Sequence, residues 1–208
     1  MKKLLFAFVA AMALAALPVS VKADILTFTT TLSGANEVPP VASPGTGTAV
    51  VTVDTVANTM TVSATFSGLL ATSPTTSLPS ATTAAHIHCC TPPGANAGVA
   101  TAVPSFPGFP LGVTSGTFLN TFDLSAASTY NPAFVTAQGG TVAGARAAFL
   151  AGLQNGLTYF NIHTNAFGGG EIRGQLQAVP EPAMLVLLGT GLAAVAGRTL
   201  RRRRRSER

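Results

Sequence analysis

Apolar and polar side chains alternate along several segments of the chain. In residues 58–67 (NTMTVSATFS) every second residue from Met60 to Phe66 is apolar, and threonine or serine occupies the positions between them. A period of two places the two sets on opposite faces of a β-strand, so the segment predicts a half-buried strand. Further strands are predicted on the same grounds at residues 26–32, 49–53, 113–124, 157–164 and 171–177.

One segment has a helical period instead. From residue 141 to 154 apolar side chains recur three or four positions apart, and Asn155-Gly156 follows as a stop signal. This predicts a short amphipathic helix packed over an edge or end of the strands. The long stretches 68–83 and 89–112, rich in Pro, Ser, Thr and Gly, predict ordered loops. Together these elements predict an all-β fold, an antiparallel β-sandwich of about seven strands with one short helix.

Charge lies almost entirely at the two ends of the chain. Ten of the twelve Lys and Arg residues fall within residues 1–22 or 198–208. Between residues 24 and 179 two basic residues stand against five acidic ones, which gives this region a net charge of −3. Because such a surface cannot neutralise phosphates, we expect no nucleic-acid partner.

The N-terminal end has the pattern of a secretory signal. Two lysines follow the first Met, residues 4–17 are apolar, and Val21 and Ala23 place small residues at the −3 and −1 positions of a cleavage site. The apolar stretch is too short to span a bilayer, which takes about 20 helical residues. We therefore predict a signal peptide at residues 1–23 and export of the rest of the chain.

The C-terminal end combines three features in order. Pro180-Glu181-Pro182 interrupts regular structure, residues 183–197 are apolar, and five consecutive arginines then occupy residues 201–205. A basic cluster of this kind stays on the cytoplasmic side of a membrane under the positive-inside rule. A plain single-span tail anchor is one interpretation of the apolar run.

The same three features resemble the PEP-CTERM sorting signal of Gram-negative bacteria. That resemblance implies that exosortase, a membrane protease, cuts near the motif and that the product goes to the cell surface or an extracellular matrix. It also implies transient association with the inner membrane through residues 183–197. The chain then divides into a signal peptide at 1–23, one domain at 24–178 and a sorting segment at 179–208.

All three histidines lie in predicted strands, His86 and His88 in the segment AHIH at residues 85–88 and His163 in the strand at 157–164. His86 and His88 are two residues apart, so their side chains share one face of a strand, and His163 lies on another strand. Three imidazoles from two strands suit copper or zinc as ligands. Glu171, across a glycine-rich turn from His163, is a candidate to orient one of them by a hydrogen bond. The alternative is that the histidines are hydrogen-bonded within the sheet and bind nothing.

Cys89 and Cys90 directly follow His88. In an oxidising compartment they should not remain ordinary buried thiols. We expect a disulfide between the two neighbours. Pairing with another chain, or coordination of the metal by their thiolates beside the histidines, are the alternatives.

Three separated blocks carry a second resemblance. They are LSGANEVPP at residues 32–40, AHIH at 85–88, and a final block, YFNIHT followed by GGEIRGQL, at 159–176. These blocks resemble the CHRD domain, a module first noticed in chordin and found in many exported bacterial proteins. The resemblance spans about residues 28–176 and implies a β-sandwich, but it implies no defined activity. The cysteine pair is not part of the family's general pattern.

Three functions are compatible with these features. The first is a non-catalytic surface or matrix module for adhesion, for association with an extracellular polysaccharide or for contact with surface proteins. It is favoured because the chain has no Gly-x-Ser-x-Gly or phosphate-loop motif and its few carboxylates are scattered, so we predict no catalytic residues. The second is a module that binds copper or zinc through the three histidines.

The third function is a redox metalloenzyme. A His-x-His on a β-sandwich strand resembles the copper site of Cu/Zn superoxide dismutase. That site, however, needs a bridging histidine and an aspartate in addition to what three histidines can supply.

Overall fold

The computed structural model describes residues 25–70, 72, 80–180 and 190–191. The predicted signal peptide, Glu181 and Pro182 of the sorting motif, and nearly all of the apolar and arginine-rich segments lie outside these residues. Within the described part of the chain, no helix has both the length and the apolar character needed to cross a membrane.

The described residues form nine strands and two α-helices. The strands are β1 (Ile25–Ser33), β2 (Thr46–Asp54), β3 (Thr59–Ser67), β4 (Thr82–Cys89), β5 (Gly98–Val99), β6 (Gly116–Asp123), β7 (Thr158–Thr164), β8 (Ile172–Gln175) and β9 (Gln177–Ala178). The helices are α1 (Pro132–Ala137) and α2 (Val142–Gln154). Short 3-10 turns occupy Gly34–Asn36 and Ala127–Thr129.

All strand pairs are antiparallel and belong to one continuous sheet. Its order is β5-β4-β7-β8-β1-β2-β3-β6, with β9 paired to β1, and it curls into a half-barrel. The predicted all-β antiparallel class is confirmed. The sheet has nine strands rather than about seven, and the two additional strands, β5 and β9, are two residues long each. A segment of two residues is too short to show a period in sequence.

The alternation predicted for the first strands matches their burial. Met60 and Val62 of β3 are fully buried, whereas the threonines and serines between the apolar positions are partly or fully exposed. β2 and β3 pair from Thr46↔Ser67 to Asp54↔Thr59, and Asp54 closes the connecting turn by accepting hydrogen bonds from the amides of Val56 and Ala57. The apolar set therefore faces the core along the whole hairpin.

The helix predicted at 141–154 is present as α2. The Thr141 side chain accepts a hydrogen bond from the Gly144 amide and caps its start, and Phe149 and Leu153 are buried. The structure corrects the prediction of a single helix, because α1 precedes α2. Asn131 caps this six-residue helix and Pro132 begins it, but six residues are too few to show a helical period.

The strands β4, β7 and β8 are buried on both faces. Every residue of β7 is buried, although Tyr159, Asn161 and His163 point away from the apolar core. Three loops cover this outer side: the loop between β1 and β2, the loop between β4 and β5, and the loop between β7 and β8. They are held by hydrogen bonds from Asn96 Nδ2 to Val38 O (2.8 Å), from Asn161 Nδ2 to Gly169 O (3.4 Å) and from Arg173 Nε to Asn36 O (2.6 Å). A polar layer is thus enclosed between the sheet and its loops.

Candidate metal centre

The structure brings the three histidines together in this enclosed layer. His86 and His88 project from the same face of β4, and His163 projects from the adjacent strand β7, where it pairs with Ala84. The ring centroids lie 5.1 Å apart for His86 and His163, 5.7 Å for His88 and His163, and 5.9 Å for His86 and His88. One ligand nitrogen from each ring lies within 4.8 Å of the other two.

Each imidazole is held by one backbone carbonyl. His86 Nε2 donates to Pro104 O (2.8 Å), His88 Nδ1 to Ala97 O (2.9 Å) and His163 Nδ1 to Gly168 O (3.0 Å). Because a carbonyl oxygen only accepts, the bonded nitrogen carries the hydrogen, and the second nitrogen of a neutral ring keeps a lone pair.

These second nitrogens have no hydrogen-bond partner. His86 Nδ1, His88 Nε2 and His163 Nε2 are buried and unpaired among the described residues. Leaving a buried polar atom unpaired costs about 1–3 kcal/mol. Three such atoms in one cluster are unusual for a purely structural arrangement and are what a metal ion would satisfy.

Burial keeps the rings neutral. His86 and His88 are 6% exposed and His163 is 8% exposed. Desolvation lowers the pKa of both His86 and His88 to about 4, with the nearby His163 lowering it further for His86. Desolvation also lowers the pKa of His163. Neutral imidazoles are the form that binds metal, so the site is ready for an ion at neutral pH without losing protons.

A stack of side chains supports His88. Its ring lies parallel to that of Tyr159, with centroids 4.7 Å apart, and the Arg173 guanidinium lies 4.5 Å from the Tyr159 centroid. The Tyr159 hydroxyl accepts a hydrogen bond from the Ala97 amide (3.1 Å). Since the Ala97 carbonyl also holds His88, the stack and this loop fix the same imidazole.

Arg173 is itself buried and closely held. It is 4% exposed, donates to Asn36 O and to Asn96 Oδ1 (2.7 Å), and lies 3.8 Å from a Glu37 carboxylate oxygen. Burial raises the pKa of Glu37 to about 7, and the positive charge of Arg173 only partly opposes this shift. At neutral pH Glu37 therefore balances only part of the charge of Arg173.

Glu171 does not take the position that the sequence predicted. Its carboxylate accepts hydrogen bonds from Ser43 Oγ (2.6 Å), the Leu70 amide (2.6 Å) and Thr164 Oγ1 (2.7 Å), and lies 3.4 Å from Ser80 Oγ. None of these partners is a histidine, so the role predicted for Glu171 as a histidine partner is corrected. Backbone carbonyls orient the rings instead. Because every residue has a backbone carbonyl, the sequence does not show which ones will contact the histidines.

The cysteine sulfurs lie on the side of α2, away from the histidines. Cys89 and Cys90 are joined in a disulfide, as expected for an exported chain. Cys89 belongs to the apolar core, and both sulfur atoms pack against Gly152 of α2. The alternative in which their thiolates join the histidines is therefore corrected. Alternation along β4 sends Cys89 to the side opposite His88, and the Cys90 sulfur lies beside Gly152 and the Ala148 carbonyl of α2.

Two protein-family models match the chain. The model of the CHRD domain matches residues 28–176, most of the described chain and all three histidines. The chain belongs to the CHRD family. A second model, the PEP-CTERM protein-sorting motif, matches residues 178–204, directly after the CHRD domain. Both resemblances inferred from sequence are thereby confirmed.

The two matches indicate where the chain is sent, but they do not indicate which ligand it binds or which reaction it performs. The PEP-CTERM motif implies recognition by exosortase sorting machinery, export and C-terminal processing at the cell envelope. Neither the CHRD domain nor the PEP-CTERM motif is an enzyme domain. Comparison with curated proteins and with solved structures gives no significant match.

Proposed function

We propose that this chain is an exported surface protein whose CHRD domain binds a transition-metal ion, copper or zinc, through His86, His88 and His163. One observation carries the proposal: three buried histidines each keep a ring nitrogen without a partner, and their ligand atoms lie within 4.8 Å of one another. Imidazole is a ligand for both copper and zinc, and three-histidine zinc sites are known.

The spacing is compatible with a shared ion. Two nitrogens bound to one tetrahedral ion at about 2.0–2.1 Å lie roughly 3.3 Å apart. Ligand atoms within 4.8 Å of one another reach this arrangement with ring displacements on the order of 1 Å or less each. The ion would join β4 to β7 and satisfy the unpaired nitrogens, so its role is sequestration or stiffening rather than catalysis.

A superoxide dismutase-like redox activity has less support. The chain contains three histidines, and all of them are already in the cluster. No further histidine is thus left to bridge to a second metal position. The two aspartates of the described residues, Asp54 and Asp123, accept hydrogen bonds from turn amides and do not belong to the histidine cluster.

The metal proposal is tested on the full chain, exported and purified without added metal. We expect about one copper or zinc ion per chain by elemental analysis, and loss of most of it in His86→Ala and His163→Ala. Thr83→Ala is the matched control, because Thr83 is an exposed residue of the same strand. Unchanged metal content in both folded histidine variants would overturn the proposal.

Adhesion to a polymer is a second candidate function. It is supported by the part of the sheet formed by β1, β2, β3 and β6. A groove of about 750 Å³ opens there. Seven hydroxyl side chains line it: Thr31, Ser33, Thr46, Thr48, Thr65, Ser67 and Thr117. No charged side chain lines this groove. A neutral, hydroxyl-lined surface suits a neutral extracellular polysaccharide better than a charged polymer.

A further inference from the structure

We propose that the three-histidine site selects its ion by charge and holds copper as Cu(I) in preference to Cu(II) or Zn(II). This inference rests on the proposed metal binding and concerns the charge of the ion rather than its presence. Three features of the site favour the monovalent ion: the charge of the ligands, the burial of the site and the potential created by Arg173.

The site offers no negative ligand among the described residues. The group of side chains able to share an ion consists of the three histidines alone. The four carboxylates of residues 25–180 are Glu37, Asp54, Asp123 and Glu171. Asp54 and Asp123 accept from turn amides, Glu171 has the partners given above, and Glu37 lies beside Arg173. With Cys89 and Cys90 in a disulfide, no thiolate replaces them.

Burial then penalises ions according to their charge. The cost of moving an ion from water to a low-dielectric interior grows with the square of its charge, and it is already several kcal/mol for one unit charge in a protein. A divalent ion therefore loses about four times as much as a monovalent one on the same Born reasoning. The three imidazoles are at most 8% exposed and carry no negative charge, so they leave the full charge of a divalent ion unbalanced.

Arg173 adds a positive charge behind one ligand. Its guanidinium covers the face of Tyr159, and His88 stacks on the same ring. The guanidinium carbon lies 4.5 Å from the Tyr159 centroid, and the His88 centroid lies 4.7 Å from it, so the positive charge is close to the site. Glu37, 3.8 Å away, is too easily protonated in its buried position to cancel that charge fully at neutral pH. The remaining positive charge of Arg173 repels a bound cation, and it repels a divalent ion more strongly than a monovalent one.

Copper has a state of lower charge and zinc does not. Zn²⁺ has no accessible redox chemistry, so a zinc ion would have to bring an anion such as hydroxide or chloride with it. Imidazole is a ligand for copper, and the monovalent ion leaves only one positive charge to bury instead of two. The geometry therefore favours Cu(I).

The test uses the full chain in competition with metal chelators at neutral pH, with Cu(I) measured anaerobically. We expect Cu(I) to bind at least about 100-fold more tightly than Zn(II), and the bound copper to have a midpoint potential above that of the aqueous copper couple. Zinc binding of equal or greater affinity that still requires the histidines would overturn this inference while leaving the metal site intact. Absence of binding by all three ions would overturn both proposals.

Two variants isolate the charge of Arg173. In Arg173→Met we expect the ratio of Cu(I) to Cu(II) affinity to fall about tenfold, which equals a 59 mV decrease for one electron. Glu37→Gln removes the opposing carboxylate at nearly constant shape, so the ratio should rise at pH 8. Arg146→Met is the matched control, because Arg146 bonds to Asn58 at the hairpin between β2 and β3. An unchanged ratio in Glu37→Gln would overturn the charge argument even if Arg173→Met does not fold.

Discussion

The two halves of the sheet differ in what covers their outer faces. In β1, β2, β3 and β6 threonines and serines face outward, and some pair across strands, as Thr48 does with Thr65 (2.9 Å) and Thr61 with Thr121 (2.8 Å). We call these strands the hydroxyl half. In β4, β7 and β8, the histidine half, three loops cover the corresponding face and bury its polar side chains.

This difference determines where a site can form. On the hydroxyl half, water satisfies any polar group that lacks a protein partner, so the cost of an imperfect contact is small. On the histidine half, water is excluded and an unpaired nitrogen is costly. Only the covered half gives a polar cluster the low dielectric and fixed orientation that selective ion binding requires.

The largest expected difference between the halves concerns apolar packing. Phe160 of β7 is fully buried against Phe106, with ring centroids 6.1 Å apart, whereas Leu119 of β6 is 73% exposed. We expect Phe160→Ala to lower the free energy of unfolding by about 3–5 kcal/mol. Leu119→Ala, the matched control, should change it by less than about 0.5 kcal/mol. Urea denaturation measures both, and similar losses would contradict the difference in burial between Phe160 on the inner face of the sheet and Leu119 on its outer face.

A smaller effect is expected from acid on the metal-free protein. The pKa values of His86 and His88 are lowered from 6.5 to about 4, so their contribution to stability is complete above pH 6.5 and is lost as the pH falls towards 4. Glu37 acts in the opposite direction: its pKa is raised from 4.5 to about 7, so its contribution is complete below pH 4.5 and is lost as the pH rises through 7.

Over this range the two histidines make the free energy of unfolding rise with pH, and Glu37 makes it fall. Because there are two histidines and one glutamate, the free energy of unfolding should rise from pH 4 to 6.5. Removing the opposing group in Glu37→Gln should make that rise steeper. Urea midpoints measured at intervals between pH 4 and 8 test both statements. A urea midpoint of the wild-type protein that falls between pH 4 and 6.5 would show that the histidines are not buried as neutral groups.

The smallest change in stability is expected on the hydroxyl half. Thr48→Val or Thr65→Val removes one exposed cross-strand hydrogen bond, which is worth about 0.2–1 kcal/mol. If the groove there binds a neutral polysaccharide, either variant should weaken retention on insoluble cellulose or dextran without changing metal content. His86→Ala is the converse control and should leave retention intact. Loss of retention in His86→Ala alone would place polymer binding on the histidine half instead.

Much of the candidate site could be predicted from local sequence, and the rest could not. The spacing of His86 and His88 was enough to place both on one face of β4, because strand geometry has a period of two. The carbonyls of Ala97, Pro104 and Gly168 could not be predicted, since every residue has one and only the path of the loops brings these three to the rings. The prediction for Glu171 was wrong for the same reason.

The sequence alone determined the longer strands, the helix α2, the sorting motif and the family, because each depends on residues close together in the chain or on motifs in a fixed order. The signal peptide at residues 1–23 stays a prediction. Tertiary structure alone decided that β7 lies beside β4, which brings His163 to within reach of His86 and His88. It also decided which polar residues became buried. Burial depends on loops that cross the sheet from distant parts of the chain, and no local period records where they come to rest.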